Sequence, residues 1–186
     1  MRIVAGKFRG RALVAPDDKA VRPTSDRVRE SVFNILAHGV NDFDLQGARV
    51  IDLFAGTGAL GLEAMSRGAA YALFVEDDTS ARALIRRNVE AFELTGETRI
   101  FRRDATDLGG IGNIAPFNLA FLDPPYGKGL GETALESLVG GGWLAPGAIC
   151  VIEERAGADI TLPPALTLLD SRTYGDTEVR IMRAKR

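Results

Sequence analysis

The stretch Asp52-Leu53-Phe54-Ala55-Gly56-Thr57-Gly58-Ala59-Leu60-Gly61 most constrains what this chain can fold into. It follows an apolar run at 49–53 and opens a run of helix formers that continues through Met65. A glycine-rich turn from a strand into a helix is the opening unit of a doubly wound α/β sheet. Its glycines let backbone approach a ligand where a Cβ would clash. The rest of the chain keeps the alternation. Segments 71–76, 98–102, 117–122 and 148–153 read as strands, and 80–93 and 132–139 as helices. The helix at 80–93 is expected to turn Leu84, Ile85, Val89 and Phe92 inward. Such alternation implies a parallel sheet with helices on both faces. Segments 167–173 and 178–183, joined by the turn residues Gly175-Asp176, should add an antiparallel edge. The expected fold is α/β: a doubly wound, Rossmann-like, mostly parallel seven-stranded sheet.

Residues 1–44 read as a basic extension, a hairpin around Gly6 and Gly10 followed by a helix, packed on a core of residues 45–186 in one globular unit. The helix should start at Thr24 or Ser25, with Asp26 in its first turn, and stop at Gly39. Its apolar face carries Val28, Val32, Ile35 and Leu36, and its polar face Arg27, Glu30 and Asn34. Residues 1–36 hold eight Lys/Arg against four Asp/Glu, whereas the whole chain has a net charge of −2. Lys7, Arg9 and Arg11 are either a solvated face or a phosphate-contacting footprint. One cysteine, Cys150, excludes an internal disulfide, and one Cys with one His (His38) leaves no Cys/His metal cluster. No apolar run approaches a membrane span or a signal peptide, so a cytoplasmic monomer is expected, with no membrane partner and no metal.

Two sites carry chemistry. In the first, Gly56-x-Gly58-x-x-Gly61 matches a dinucleotide loop, and Glu76 lies eighteen residues past Gly58 at a strand end, where a carboxylate can accept ribose hydroxyls. Asp104 ends the third strand, in Ile100-Phe101-Arg102-Arg103-Asp104, and can receive an adenine amine. Asp52, Glu76 and Asp104 would all project into the crevice at the carboxyl ends of the strands. A nucleotide-like cofactor is implied, with NAD and S-adenosylmethionine both open.

The second site is Asp123-Pro124-Pro125-Tyr126, after the fourth strand. An aromatic exocyclic amine is a poor nucleophile because its lone pair is delocalised into the ring. A carboxylate accepting one N–H and a fixed carbonyl accepting the other favour a pyramidal nitrogen with its lone pair free to attack. Asp123 supplies the carboxylate, Pro124 a carbonyl on a φ-restricted backbone, and Tyr126 a face on which a base can stack. A base inside a helix must be flipped out or unpaired to reach such a pocket.

The set Asp52 to Gly58, Glu76, Asp104 and Asp123-Pro-Pro-Tyr126 resembles the class I S-adenosylmethionine-dependent methyltransferases that modify amino groups. Residues 2–11 (Arg-Ile-Val-Ala-Gly-Lys-Phe-Arg-Gly-Arg), 22–34 (Arg-Pro-Thr-Ser-Asp-Arg-Val-Arg-Glu-Ser-Val-Phe-Asn) and Arg172-x-Tyr174-Gly175-Asp176-Thr177 narrow it. With them the chain resembles the bacterial 16S ribosomal RNA guanine-N2 methyltransferases of the RsmD type along almost its whole length. Phe8 stands where many relatives have Trp. The resemblance implies S-adenosylmethionine as cofactor, S-adenosylhomocysteine as product, and guanine 966 of 16S rRNA as target, met in a small-subunit assembly particle. It implies that Asp52, Phe54, Gly56 and Gly58 hold the methionine part, Glu76 the ribose and Asp104 the adenine. Asp123, Pro124 and Tyr126 would hold the guanine, and Lys7, Arg9, Arg11, Arg22, Thr24, Arg27 and Asn34 would meet RNA. Two other classes fit parts of the pattern: an adenine-N6 methyltransferase on DNA or RNA, and a nicotinamide-dependent oxidoreductase. The latter leaves Asp123 to Tyr126 unexplained.

Overall fold

The computed structural model describes residues 1–16 and 25–186. Its elements are α1 (Asp26–His38), β1 (Arg49–Leu53), α2 (Ala59–Ser66), β2 (Tyr71–Val75), α3 (Thr79–Ala91), β3 (Thr98–Phe101), β4 (Phe117–Leu122), α4 (Leu130–Gly140), β5 (Leu144–Arg155), β6 (Leu166–Tyr174) and β7 (Thr177–Ala184). One sheet of seven strands runs in the order β3-β2-β1-β4-β5-β7-β6. β1 to β5 are parallel to one another, and β7 pairs antiparallel with both β5 and β6. The chain leaves β1 toward one edge and returns through β4 to the other. The resulting switch point lies between β1 and β4, where open α/β sheets place ligands.

Strand periodicity sorts the core into two layers. Val50, Phe74, Phe121, Ile149, Val151 and Ile181 face α1, α2, α3 and the N-terminal segment. Ile51, Leu73, Ala120, Leu122, Cys150, Ile152 and Met182 face α4, Trp143 and the loop carrying Ala105 and Leu108. The capping chemistry is local. Ser25 Oγ accepts the Val28 N–H at 3.1 Å, and Gly39 closes α1. Asp78 Oδ1 accepts the Ala81 N–H at 2.8 Å at the start of α3.

Several expected boundaries move. The N-terminal hairpin is a single bridge, Arg2 to Ala12, rather than two strands. The Val4 and Ala5 N–H groups donate to the Glu63 carboxylate at 2.8 and 3.1 Å, so they cannot extend a ladder. β5 begins at Leu144 rather than 148, running through Pro146 and Gly147 by way of a register shift opposite Phe117 to Leu119. β3 stops at Phe101, leaving Asp104 three residues beyond the strand. In α3, Leu84 is only partly buried, while Asn88 is fully buried beside Ile85 and Val89. In α1, Phe33 and Arg29 join the buried face, and Val28 is half-buried.

Glu63 explains Arg29. Its carboxylate accepts Arg29 Nε at 3.1 Å and Arg67 Nε at 3.0 Å in addition to the two backbone amides. The Arg29 guanidinium also reaches Asp26 Oδ1 at 2.9 Å and the Arg2 carbonyl. One carboxylate thus pins the N-terminal segment, α1 and α2 together. A second pin is Asn88. Its Oδ1 accepts the Val14 N–H at 2.7 Å, and its Nδ2 donates to the carbonyls of Val14 and Thr57 at 3.2 and 3.0 Å.

Candidate active site

The glycine-rich turn leaves β1 with Phe54, Gly56 and Gly58 all in the left-handed region, at φ of 57°, 58° and 81°. That conformation costs little for glycine and of order 1–3 kcal/mol for a side chain such as Phe54's. A Cβ on Gly56 would meet only the Phe54 carbonyl oxygen, at 4.0 Å, so the turn is open on that side. Gly61 has the opposite reason to be glycine. A Cβ there would stand 2.5 Å from the Phe74 ring and 3.2 Å from Asp52 Oδ2, so it lets α2 seat against β2.

Glu76 follows β2 and braces the turn. Its Oε1 accepts the Gly56 N–H at 2.8 Å, and its Oε2 the Asp78 N–H at 3.1 Å. Asp52 sits beneath the turn, 1% exposed, with Oδ2 accepting the Gly61 N–H at 3.0 Å. Burial pushes its carboxyl well above the usual carboxylate range. The Gly61 N–H offsets part of this, and the charges of Asp123 and Glu76 add to it. Three carboxylates therefore converge at the ends of β1, β2 and β4, an arrangement that favours a cationic ligand. Asp104 lies exposed past β3, and its Oδ1 holds the N–H and hydroxyl of Thr106 at 2.8 and 2.7 Å.

Asp123 continues β4 directly, beside the turn at the switch point. Pro124 is buried near the start of α4, where a Cβ on Gly131 would stand 2.6 Å from Ile152 Cδ1 and 3.4 Å from Pro124. Tyr126 is half-buried. Its hydroxyl lies 2.8 Å from Thr177 Oγ1 on β7 and donates to Glu153 Oε1 on β5 at 3.2 Å. Burial and the neighbouring Glu153 and Asp123 raise the phenol to about 12, against the lowering effect of Thr177. The Asp-Pro-Pro-Tyr turn is thus tied across β5 to the antiparallel edge.

The family described as Conserved hypothetical protein 95 matches residues 1–183. "Ribosomal RNA small subunit methyltransferase D" of Escherichia coli K12 is 39% identical over 183 residues, covering 97% of this chain and 88% of that protein. The chain belongs to the RsmD family of methyltransferases. The Haemophilus influenzae protein of the same name is 33% identical over 97% of this chain and 92% of its own length. In fold, the RsmD-family chain matches the solved Escherichia coli protein yhhF with a TM-score of 0.84 and 35% identity, over 100% of this chain and 98% of that one. An RNA methyltransferase of Salinibacter ruber, solved with S-adenosyl-L-homocysteine, shares the fold at 14% identity with a TM-score of 0.64, over 89% of this chain and 95% of that one. The sheet order is accordingly that of a class I methyltransferase.

The structure brings Asp52, Phe54, Gly56, Gly58, Glu76, Asp123, Pro124 and Tyr126 to one end of the sheet. It does not bring the basic residues of the hairpin there. The Lys7 N–H donates to the Ser66 carbonyl at 2.9 Å, and Gly6 lies against the same residue. Ser66 ends α2, whereas the glycine turn begins it, so the tip holding Lys7 and Arg9 sits roughly 12 Å along the helix from the turn. Arg11 is exposed but folds back along the surface of the chain. Its guanidinium stacks 4.5 Å from the Phe92 ring centre and donates to the Ala91 carbonyl at 2.6 Å. Arg27 and Asn34 are exposed on the outer face of α1. Arg22 and Thr24 lie outside the described residues. Sequence reasoning missed Glu63, Asn88 and Glu153. All three are polar positions whose partners lie on other elements, and no local spacing signals them.

Proposed function

We propose that the protein methylates the exocyclic N2 of a guanine in 16S rRNA, guanine 966 in the usual rRNA numbering, using S-adenosylmethionine. It would act as a monomer in the cytoplasm on a small-subunit assembly particle. The observation that carries this is the placement of Asp123-Pro124-Pro125-Tyr126 at the end of β4, next to the turn that Glu76 and Asp52 hold open. The names of the Escherichia coli and Haemophilus influenzae relatives support rRNA as the substrate class.

The residues fit the cofactor. The open side of Gly56 admits a ligand against backbone, Glu76 stands where a ribose would be accepted, and the converging carboxylates suit a cation. When bound, the cofactor supplies an electrophilic methyl on a sulfonium centre. Phe54, Gly56 and Gly58 shape its methionine end, and Asp52 supports them from below by fixing Gly61. Asp104 is assigned the adenine amine.

Asp123 accepts one N–H of the target amine and the Pro124 carbonyl the other, which turns the lone pair toward the methyl and holds the reactants together. The Tyr126 ring stacks on the flipped base, with its hydroxyl anchored at the far end by Thr177 and Glu153. The amine becomes acidic only as the new N–C bond forms, so its proton leaves late, to Asp123 or to water.

The test is labelled-methyl transfer to unmodified small subunits, free 16S rRNA and unmethylated DNA in parallel, with products digested to nucleosides. N2-methylguanosine from rRNA is expected. N6-methyladenine would transfer the protein to the adenine class. No cofactor binding by calorimetry would overturn the methyltransferase chemistry itself.

A further inference from the structure

Glu153 anchors the Tyr126 hydroxyl of the Asp-Pro-Pro-Tyr turn, and its position on the sheet gives it a further use. Leu122 of β4 is in register with Ile152 of β5, so Asp123 and Glu153 follow side by side at the ends of adjacent parallel strands. Strand alternation turns both toward the same face. Phe121 and Val151, two residues before each, belong to the core layer under α1 and α2. On that face Glu153 borders a narrow cleft walled by Val32 of α1, Leu60 of α2, and Phe121, Val151 and Val179 of the sheet. Among the described residues lining this cleft, Glu153 is the only charged one. Its Oε1 accepts the Tyr126 hydroxyl at 3.2 Å, which fixes the carboxylate at the edge of the surface on which the base would stack.

The chemistry of base edges says what a second carboxylate there can do. Asp123 needs an exocyclic amine. Adenine and cytosine place a ring nitrogen lone pair and a ring carbon beside that amine, whereas guanine alone places a ring N–H there, at N1, with the N3 lone pair on the other side. A carboxylate is acceptor-only when ionised, so it attracts the guanine edge and repels the other two. It has lone pairs enough to take the Tyr126 hydroxyl and one ring N–H together.

We infer that Glu153 is a specificity-determining residue that accepts the N1–H of the target guanine while Asp123 and the Pro124 carbonyl take its N2 amine. This rests on the guanine-N2 function proposed above and supplies the reason that an adenine would be refused. Hydrogen bonds to charged groups are worth enough that losing this one costs a substrate roughly 10- to 100-fold in kcat/KM.

The test compares guanine with 2-aminopurine, which keeps the C2 amine but carries a lone pair at N1. Small subunits are reconstituted from ligated 16S rRNA bearing either base at the target position. Single-turnover methyl transfer is then measured for the wild type, Glu153→Gln and Glu153→Ala. The wild type is expected to prefer guanine by roughly 10- to 100-fold. Glu153→Gln should bring the preference to within a few-fold, because its amide can either accept from N1–H or donate to a bare N1. Glu153→Ala should lose the preference as well. Intrinsic differences between the two amines cancel in the ratio of ratios. A preference unmoved by either substitution, with guanine still methylated, would overturn the role of Glu153 alone. No N2-methylguanosine from the wild type would overturn the function on which it rests.

Discussion

Replacing Glu63 with Ala removes the one carboxylate that four donors share, and its cost follows from what is left behind. Arg29 is fully buried, and its remaining carboxylate partner, Asp26, is 49% exposed at the side chain. Breaking a buried pair from one side costs about 3–5 kcal/mol, because the surviving charge stays desolvated. The Val4 and Ala5 amides lose their acceptor in the same step. For a chain of this length, each kcal/mol lowers Tm by about 2–4 °C, so Glu63→Ala should melt roughly 6–20 °C lower. Circular dichroism melts at fixed pH read this directly. The double variant Arg29→Met/Glu63→Met removes both charges and should recover part of the loss. The residue of the deficit reports the two orphaned amides, about 1–3 kcal/mol each. A fall in Tm of less than about 3 °C for Glu63→Ala would refute the claim that this carboxylate pins the N-terminal segment to the core.

Two further outcomes follow from titratable groups. Burial raises Asp52 above 3.8, so the fold keeps a proton that the unfolded chain releases, and the ligand-free protein loses stability as pH rises from about 4 through the raised value. Asp52→Asn, which can still accept the Gly61 N–H, should flatten that dependence and raise Tm at neutral pH; an unchanged slope would contradict it. Burial also lifts the Cys150 thiol to about 12, so it should resist a thiol reagent at pH 8 until the protein unfolds. Labelling faster than global hydrogen exchange would show that the strand opens locally.

Much of the frame was legible because the informative residues are local. The apolar runs of β1 and β4 fall where the structure has them, and Gly175-Asp176 turns the antiparallel edge as expected. The fifth strand is expected over 148–153, yet β5 starts at Leu144 and passes through Pro146 and Gly147, because a shift in register against β4 absorbs the irregularity. An amphipathic pattern assigns polar residues to solvent, which is why Arg29, Glu63 and Asn88 escaped notice. Each is buried by a partner tens of residues away. The site motifs were legible as strings, but roles that depend on relative depth were not. Asp52 lies buried beneath the turn with Oδ2 on the Gly61 N–H, and Arg11 stacks on Phe92 and donates to the Ala91 carbonyl. Asp104 stands beyond the strand it was expected to end.

The central claim is that Asp123 aims the amine rather than holding the fold or the cofactor, and a single variant separates these. Asp123→Ala, assayed by single-turnover transfer to small subunits, should keep its Tm within a few degrees and bind S-adenosylmethionine nearly as the wild type does. Its transfer rate should fall roughly 100- to 1000-fold, the scale seen when one preorganised polar group is lost from an active site. Near-normal transfer by a folded, cofactor-binding Asp123→Ala would contradict the account.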